Sequence, residues 1–263
     1  MSYLYETHLH TNFASACARS KGSEYIKYYK RLGYSGMFVT DHFYNGNTAV
    51  PRSLPWKEWV RWFCRGYEEA LNEGERQGFD VFFGWEETFD CGDDYLVYGL
   101  DKAWLMDHPE AKDWTRGEQF RAVNAAGGCV IQAHPFRQHN YIRAVVLSTG
   151  CVNAVEAANA TNDEQSYDAL ALRYAEKNSF PYTAGSDTHS VEQVSNEGTF
   201  GVYVEEKLNS VKDFVNVIHN NNISDILISS GRCNYYGNED IVLPVSVRDR
   251  DDRITRENWK NFI

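Results

Sequence analysis

Long hydrophobic runs and an excess of positive charge are both missing from this sequence. No apolar stretch approaches the roughly 18 residues of a membrane helix, and the opening segment MSYLYETHLH does not resemble a signal peptide. We therefore expect no contact with a membrane. Lys and Arg number 26 against 37 Asp and Glu, which gives a net charge of −11. Because this charge repels phosphate backbones, it also predicts that the protein does not bind long nucleic acid.

Closely spaced cysteine pairs and several common catalytic motifs are missing as well. GxGxxG, P-loop, GxSxG and HExxH sequences do not occur, so the residues of nucleotide-binding loops, serine hydrolases and zincins are not there. The absence of a CxxC pair favours reduced thiols and predicts a cytoplasmic location. The six cysteines stand at positions 17, 64, 91, 129, 151 and 233.

What the sequence does have is an alternation of short apolar runs with longer amphipathic stretches. This pattern is typical of β-α units around a parallel sheet, and the length fits one α/β barrel spanning residues 1–263. The runs predict strands at 4–7, 36–40, 81–85, 95–98, 129–132, 154–157, 181–184 and 200–204. The amphipathic stretches predict helices at 23–32, 56–77, 116–126, 163–178 and 210–220.

Five short motifs containing His, Asp or Glu stand at the ends of predicted strands. In the first, His8 and His10 are two residues apart, which in an extended strand puts both imidazoles on one face, roughly 7 Å apart, within reach of one metal ion. The other four motifs are Thr40-Asp41-His42, Gly84-Trp85-Glu86, Ala133-His134-Pro135 and Asp187-Thr188-His189.

Each motif alone also fits an ordinary structural role, such as a surface pair, an Asx turn or a buried histidine bonded to a carbonyl. Their common position favours one metal centre instead, because the C-terminal ends of barrel strands open onto a single face. Imidazole and carboxylate groups are suitable ligands for zinc, iron and manganese. Glu156 and Asn159, which follow another predicted strand, are expected to orient such ligands from behind.

The order of these motifs resembles that of the polymerase-and-histidinol-phosphatase (PHP) family of metal-dependent phosphoesterases. The resemblance covers residues 3–205 and implies a distorted seven-stranded β/α barrel of the TIM type, which residues 206–263 would close and extend. It also implies two or three divalent ions, Zn²⁺, Mn²⁺ or Fe²⁺. The first would be held by His8, His10, Glu86 and Asp187, the second by Glu86 and His134, and the third by His42 and His189.

Two positions depart from the PHP pattern. Members usually place a His or Asp ligand shortly after the His-x-His motif, where this chain runs from Thr11 to Cys17, so the third metal is expected to be weak, absent, or completed by Cys17 or water. Many members carry a histidine where this chain has Asp94. As a ligand, Asp94 would favour manganese or iron over zinc, and the alternative is an exposed loop acid.

The predicted function is hydrolysis of a small phosphate ester, a monoester or short nucleotide, by attack of a metal-bound hydroxide on phosphorus. Arg137 is expected to bind phosphate oxygens and stabilise the transition state, and Arg19 is a second candidate for substrate binding; surface salt bridges are the alternative for both. Asp187 is also a candidate to shuttle a proton to the leaving group. Specificity is expected to depend on loop 43–55 and segment 159–166.

Two other functions remain open from the sequence. One is an amidohydrolase-type metal hydrolase of C–N or C–O bonds, which also begins with His-x-His on a barrel strand. The other is a non-catalytic, metal-stabilised PHP module. The expected partner is a small phosphorylated substrate, and the oligomeric state is left open.

Overall fold

A computed structural model describes residues 2–196, 199–234 and 241–263. Its strands are β1 (Tyr3–Glu6), β2 (Gly36–Val39), β3 (Asp80–Thr88), β4 (Asp94–Tyr98), β5 (Cys129–Gln132), β6 (Val145–Ser148), β7 (Ala154–Asn159), β8 (Tyr182–Gly185), β9 (Gly201–Val204), β10 (Asp225–Leu227) and β11 (Val245–Arg248). Its helices are α1 (Gly22–Arg31), α2 (Trp56–Phe63), α3 (Arg65–Gln77), α4 (Lys102–Asp107), α5 (Arg116–Ala125), α6 (Gln165–Lys177), α7 (Val191–Asn196) and α8 (Val211–His219), with 3-10 turns at Pro109–Asp113 and Trp259–Phe262.

A nine-stranded sheet forms the centre of the described structure, in the spatial order β10-β9-β1-β2-β3-β4-β5-β7-β8. The pairs β1–β2, β2–β3, β5–β7 and β7–β8 are parallel, whereas β4, β9 and β10 run antiparallel to their neighbours. The last strand, β8, approaches β9 and β10 at the opposite edge, so the sheet is nearly closed into a barrel.

The predicted α/β barrel class is confirmed, but the predicted number of seven strands is wrong. The described sheet has nine strands, in which β4 returns antiparallel along β3 and β10 pairs with β9 from beyond residue 205. Its parallel pairs are formed by β1, β2, β3, β5, β7 and β8. Strand β2 is buried along its whole length, as expected for a parallel strand covered on both faces.

The predicted helix 56–77 is divided into α2 and α3, with Cys64 between them. Gly66 lies at the start of α3 and packs directly against the site described below. A Cβ added to Gly66 would meet the Thr11 hydroxyl at 2.0 Å, so only glycine permits this close approach. The division of the helix therefore brings α3 against the loop that follows β1.

Residues beyond 205 contribute to two parts of the structure. Strand β10 joins the main sheet, while β11 pairs in parallel with β6 in a separate two-stranded sheet. Near the C-terminus, Trp259 and Phe262 pack against α6 through the cluster that contains Phe136 and Tyr174. That residues 1–263 form one domain stays a prediction. None of the helices in the described ranges is long and apolar enough to cross a lipid bilayer.

Candidate metal centre

The ligands predicted from the five motifs lie together at one end of the barrel, where its strands end or leave the sheet. They are His8 and His10 after β1, His42 after β2, Glu86 within β3, His134 after β5, and Asp187 and His189 after β8. Backbone hydrogen bonds continue the sheet into this region. The His10 N–H donates to the Thr188 carbonyl (2.9 Å), and the Phe43 N–H donates to the Glu86 carbonyl (2.8 Å). The segments carrying the motifs are therefore held in register by their own backbones.

Two of these residues have unusual backbone conformations. His134 has a φ of 28° and Asp187 a φ of 52°. Non-glycine residues rarely adopt positive φ, and they keep it where the surroundings hold them, often at functional sites. The His134 N–H donates to Glu156 Oε2 (3.0 Å), and the Asp187 side chain is held by Arg137. Both side chains are thereby aimed at the common centre.

Glu86 lies in the middle of the cluster and faces four imidazoles. Its Oε1 is 3.1 Å from His8 Nε2 and 3.3 Å from His134 Nε2. Its Oε2 is 2.7 Å from His42 Nδ1 and 3.6 Å from His10 Nε2. A carboxylate with different imidazoles on its two oxygens has the arrangement needed to bridge two ions.

Asp187 approaches the same imidazoles from the opposite strand. Its Oδ1 is 3.1 Å from His10 Nε2 and 3.5 Å from His8 Nε2. The ring of His10 is also 4.3 Å, centroid to centroid, from the rings of His42 and His189. The cluster therefore extends continuously from Glu86 to His189.

Several buried ligand atoms at the centre face one another at short distance without forming a well-directed hydrogen bond. They are His8 Nε2, His10 Nε2, His42 Nδ1 and Glu86 Oε2. Leaving a buried polar atom unsatisfied costs about 1–3 kcal/mol, so a group of such atoms facing one another needs an explanation. Divalent cations would satisfy all of them at once, and the donors are those that zinc, iron and manganese accept. The residues present therefore fit metal ions.

At this centre, the ligand atoms close enough to share an ion fall into three overlapping sets. One set matches part of the expected first site, one links Glu86 to His134, and one joins the two expected ligands of the third site to His10. The sets are His8, His10 and Asp187; His8, Glu86 and His134; and His10, His42 and His189.

The electrostatics of the centre favour positive charge. Although burial raises the pKa of Glu86, the neighbouring His8 and His42 lower it well below its usual range. Burial likewise raises the pKa of Asp187, but His8 and Arg137 lower it well below normal. Both carboxylates are therefore ionised at neutral pH. Burial, together with His42 and His189, lowers the pKa of His10 well below its usual value, which leaves a neutral imidazole suited to metal binding.

Glu156 supports two of the imidazoles from behind, as Glu156 and Asn159 were expected to do. Its Oε1 is 2.9 Å from His8 Nδ1, and its Oε2 accepts from the His134 backbone and from Asn159 Nδ2 (2.9 Å). This contact directs the other nitrogen of His8 into the centre. A Cβ on Gly185 would meet Glu156 Oε1 at 2.6 Å, so the glycine makes room for the contact.

A second support, which the sequence did not reveal, involves Asp41. Its carboxylate accepts from the Thr11 N–H (2.6 Å) and from the Ser15 hydroxyl (2.7 Å). Ser15 Oγ is in turn 3.1 Å from His10 Nδ1 and accepts from the His42 N–H (3.0 Å). The partners are 26 and 30 residues from Asp41, so no local pattern could have indicated the network.

Arg137 is buried, and its guanidinium donates to groups of the protein. Its Nη1 donates to Asp187 Oδ2 (2.9 Å), its Nε to Asn162 Oδ1 (2.8 Å), and its Nη2 to Asn159 Oδ1 (2.7 Å) and Thr161 Oγ1 (2.9 Å). A surface salt bridge does not describe this residue. Its predicted contact with phosphate stays a prediction, and the geometry gives it a second task, which is to hold Asp187.

The two other candidates differ in how close they lie to the centre. Asp94 is only 5% exposed, so it is not an exposed loop acid. Its Oδ1 accepts from the Thr88 hydroxyl (2.5 Å), and its Oδ2 is 3.8 Å from His134 Nε2. Arg19 has an exposed side chain and contacts the site through its backbone, whose N–H donates to the His189 carbonyl (2.8 Å). Ligation by Asp94 and substrate binding by Arg19 stay predictions.

A cavity of about 540 Å³ opens above the cluster. Its floor includes Glu86, His134 and Asp187, and one wall comes from residues 45–47 of the loop that was expected to shape specificity. Tyr141 and Arg143 form part of another wall. Segment 159–166 instead lies behind the cavity, where it contacts Arg137 and Asp187. The cavity gives a small molecule, or one end of a larger one, access to the candidate ligands.

Known structures share this arrangement of strands. One of them is a two-domain protein from Bacteroides vulgatus that contains a "predicted PHP-like metal-dependent phosphoesterase". It superimposes on this chain with a TM-score of 0.58 at 14% sequence identity. The alignment covers 84% of this chain and 64% of the Bacteroides protein. A family model described as PHP-associated matches residues 167–223. The chain has the fold of the PHP family. The predicted resemblance is thereby confirmed.

Two further structures with the PHP fold carry names of different activities. An amidohydrolase from Chromobacterium violaceum with bound sulfate has a TM-score of 0.50 at 12% identity, over 85% of this chain and 97% of that one. The other is endonuclease Q, whose structure contains a 27-mer duplex substrate with an abasic lesion at the active site. It superimposes with a TM-score of 0.55 at 13% sequence identity. That alignment covers 84% of this chain and 57% of the endonuclease. No curated protein is significantly similar to the chain.

The prediction that long nucleic acid is excluded is wrong. Endonuclease Q shares the fold and is described with a duplex at its active site. The physical reason is that the net charge of −11 sums over the whole molecule, whereas binding depends on the field near the site. Cations held by the carboxylates would make that local field positive.

Proposed function

We propose that the protein is a metal-dependent hydrolase that acts on phosphate esters. The observation that carries this proposal is the set of buried, unpartnered ligand atoms of His8, His10, His42 and Glu86, which face one another beneath an open cavity. A non-catalytic module would not need such access from solvent. The chain spans only 64% and 57% of the Bacteroides protein and of endonuclease Q, so what those whole proteins do is carried over here only as part of the proposal.

The proposed ligands divide between neighbouring ions. His8, His10 and Asp187 would hold one ion together with Glu86, and Glu86 would bridge to a second ion held with His134. Asp94 would add a carboxylate to the second site, while His42 and His189 would serve a third. When bound, divalent ions at such a centre supply Lewis-acid activation of water and of the phosphoryl group.

The protein's own groups would orient and protect these ligands. Arg137 holds Oδ2 of Asp187, which leaves Oδ1 directed at the two imidazoles of the first motif. Since the pKa of Asp187 is well below its usual range, its carboxylate stays ionised at neutral pH, which suits a metal ligand and makes it a weak base. We therefore propose Asp187 as a ligand. Any proton given to the leaving group would come from another residue or from water.

The cavity walls support a substrate with polar and planar parts. Asn45 and Asn47 offer amides, the ring of Tyr141 is half exposed, and Arg143 adds a positive charge. A small phosphate ester or a short nucleotide would fit a volume of this size. A terminus or lesion of a longer nucleic acid is an equal candidate. Cleavage of C–N or C–O bonds is the second candidate function, because an amidohydrolase shares the fold.

A substrate panel tests the proposal directly. Phosphate monoesters, diesters, nucleotides, an abasic DNA duplex, and amide and lactone substrates would each be assayed with Zn²⁺, Mn²⁺ and Fe²⁺. We expect turnover of at least one phosphate ester, which chelator abolishes and added metal restores. Turnover confined to amides or lactones would favour the amidohydrolase alternative. Failure to bind any ion after reconstitution would overturn the proposal.

A further inference from the structure

Arg232 lies in the segment beyond β10 and reaches back behind the candidate centre. Its Nε donates to the Asp168 carboxylate in α6, and its Nη2 donates to the backbone carbonyls of Asn159 (3.1 Å) and Asn162. Both asparagines and Asp168 are buried, and the Arg232 side chain is mostly so. We propose that Arg232 is a positioning residue that holds Asp187 in place through these contacts. This inference rests on the proposed metal centre, in which Asp187 is a ligand.

Asp168 joins Arg232 to the loop that follows β7. Its Oδ2 accepts from Arg232, while its Oδ1 accepts from the Asn159 N–H (3.0 Å) and from Asn162 Nδ2 (2.7 Å). The arginine binds the carbonyls of the same two asparagines. One buried ion pair therefore holds the donors and the acceptors of both residues, and the path of this loop depends on it.

The two asparagines in turn present their amide oxygens to Arg137. Asn162 Oδ1 accepts from Arg137 Nε (2.8 Å), and Asn159 Oδ1 accepts from its Nη2 (2.7 Å). Because Asn162 Nδ2 is bound by Asp168, the amide can turn only its oxygen towards the guanidinium. Arg137 Nη1 then donates to Asp187 Oδ2 (2.9 Å). A shift of either amide would therefore move Arg137 and, through it, the candidate ligand.

A further contact of Arg232 leads to the backbone next to Asp187. Its Cζ lies 5.7 Å from the centroid of the Phe200 ring, which is buried. The Phe200 N–H donates to Ser186 Oγ (2.9 Å), and Ser186 directly precedes Asp187 in the chain. Arg232 thus reaches both the side chain and the backbone of this region. Such support has a purpose here, because the positive φ of Asp187 persists only if its surroundings hold it.

The Zn²⁺ affinity of folded variants separates positioning from a purely structural role. We expect Arg232→Gln to bind Zn²⁺ about 3- to 30-fold more weakly than the wild type, as measured by competition with a chromogenic chelator. Arg232→Lys should recover part of the loss, because an ammonium can pair with Asp168 but cannot reproduce the planar fork. The visible absorption of bound Co²⁺, which reports ligand geometry, should change in Arg232→Gln.

Asn178→Ala is the matched control, because it also loosens α6 from the C-terminal part of the chain. Asn178 Nδ2 donates to the Phe262 carbonyl (3.0 Å) at the opposite end of α6 from Asp168. We expect this variant to lose stability in urea unfolding, while its Zn²⁺ affinity and Co²⁺ spectrum match the wild type.

A double-mutant cycle tests the path through Asp168. Asp168→Asn keeps an oxygen for the Asn159 N–H and removes the charge that faces Arg232. We expect it to weaken Zn²⁺ binding, and its combination with Arg232→Gln to bind no more weakly than the weaker single variant, because both act along one path. Losses that multiply would overturn that path.

The remaining outcomes distinguish this inference from the proposed function. Circular dichroism establishes that each variant is folded, and Arg232→Lys carries the comparison if Arg232→Gln is not. Wild-type Zn²⁺ affinity in the Arg232 variants, or an equal loss of affinity in Asn178→Ala, would overturn the positioning role and leave the proposed function standing. A wild type that binds no Zn²⁺ would overturn both.

Discussion

Glu86 shows how one side chain can determine the chemistry of the centre. It is 1% exposed, it contacts three imidazoles within 3.3 Å, and its pKa is held well below normal. Burial of a charge is costly unless the charge is compensated, and partly charged imidazoles compensate it only in part. A bridging position between two cations explains both its burial and its ionisation.

Replacing Glu86 by Gln keeps the shape of the side chain and removes its charge. We expect Glu86→Gln to lose bound metal and to lower kcat/KM by more than the roughly 10- to 100-fold that loss of a ligand-orienting partner costs. Elemental analysis and steady-state kinetics would measure the two effects. Glu110→Gln, at an exposed glutamate, serves as the control and should match the wild type. Full metal content in Glu86→Gln would contradict the bridging position.

Arg137 can be tested for its two tasks separately. If it holds Asp187, Arg137→Ala leaves a buried carboxylate unpaired, which typically costs about 3–5 kcal/mol in the free energy of unfolding. We expect that loss together with about 10- to 100-fold weaker metal binding. A residue that only gripped phosphate would instead change kcat/KM at constant metal content. Urea unfolding, metal titration and kinetics of Arg137→Ala and Arg137→Lys distinguish these outcomes.

At the scale of elements, the start of α3 supports the site by close packing. A Cβ at Gly66 would lie 2.0 Å from Thr11 Oγ1 and 3.0 Å from Asp41 Oδ2, the two groups whose contact holds the loop after β1. By contrast, a Cβ at Gly117 in α5 would meet the end of the flexible Arg121 side chain at 3.2 Å and the carbonyl of Arg250, in an exposed turn, at 3.3 Å. The two helix glycines therefore have different reasons to be there.

This difference predicts opposite effects of the same substitution. Gly66→Ala should destabilise the protein by about 1–3 kcal/mol, because the new methyl group overpacks against Thr11. Gly117→Ala should be neutral or stabilise by up to about 1 kcal/mol, because alanine is the better helix former. Urea denaturation of both variants measures this. Equal stability of the two variants would contradict the close approach of α3 to the site.

Elements with a local pattern were predictable, and those defined by distant pairing were not. The strands that end in motifs, such as β1 and β3, alternate with amphipathic helices and were located to within a few residues. Strand β6 was missed because its four residues become a strand only by pairing with β11, about a hundred residues later. The candidate metal ligands carried a sequence signal of their own. The Asp41 and Ser15 support did not, since hydrogen bonds between separate loops leave no periodicity.

At the scale of the whole molecule, the proposed centre would connect several strands of the barrel at their ends. Its candidate ligands come from the ends of β1, β2, β5 and β8 and from β3. Without cations, Glu86 and Asp187 are charges in a buried cluster that protonated imidazoles balance only in part. Ions bound there would therefore stabilise the barrel as a whole as well as serve the site.

Removal of metal should accordingly lower the thermal stability of the whole protein. At a free ion concentration 100 times the Kd, binding adds about 2.7 kcal/mol to the free energy of unfolding. For a chain of this size that corresponds to a rise in Tm of about 5–10 °C. Calorimetry of the metal-free protein with and without added Zn²⁺ or Mn²⁺ measures the rise, and Glu86→Gln supplies the control, because it should respond much less to either ion. If wild type and Glu86→Gln gained the same Tm on adding metal, the ions would be binding elsewhere on this acidic chain, and the buried cluster would not be the centre that holds them.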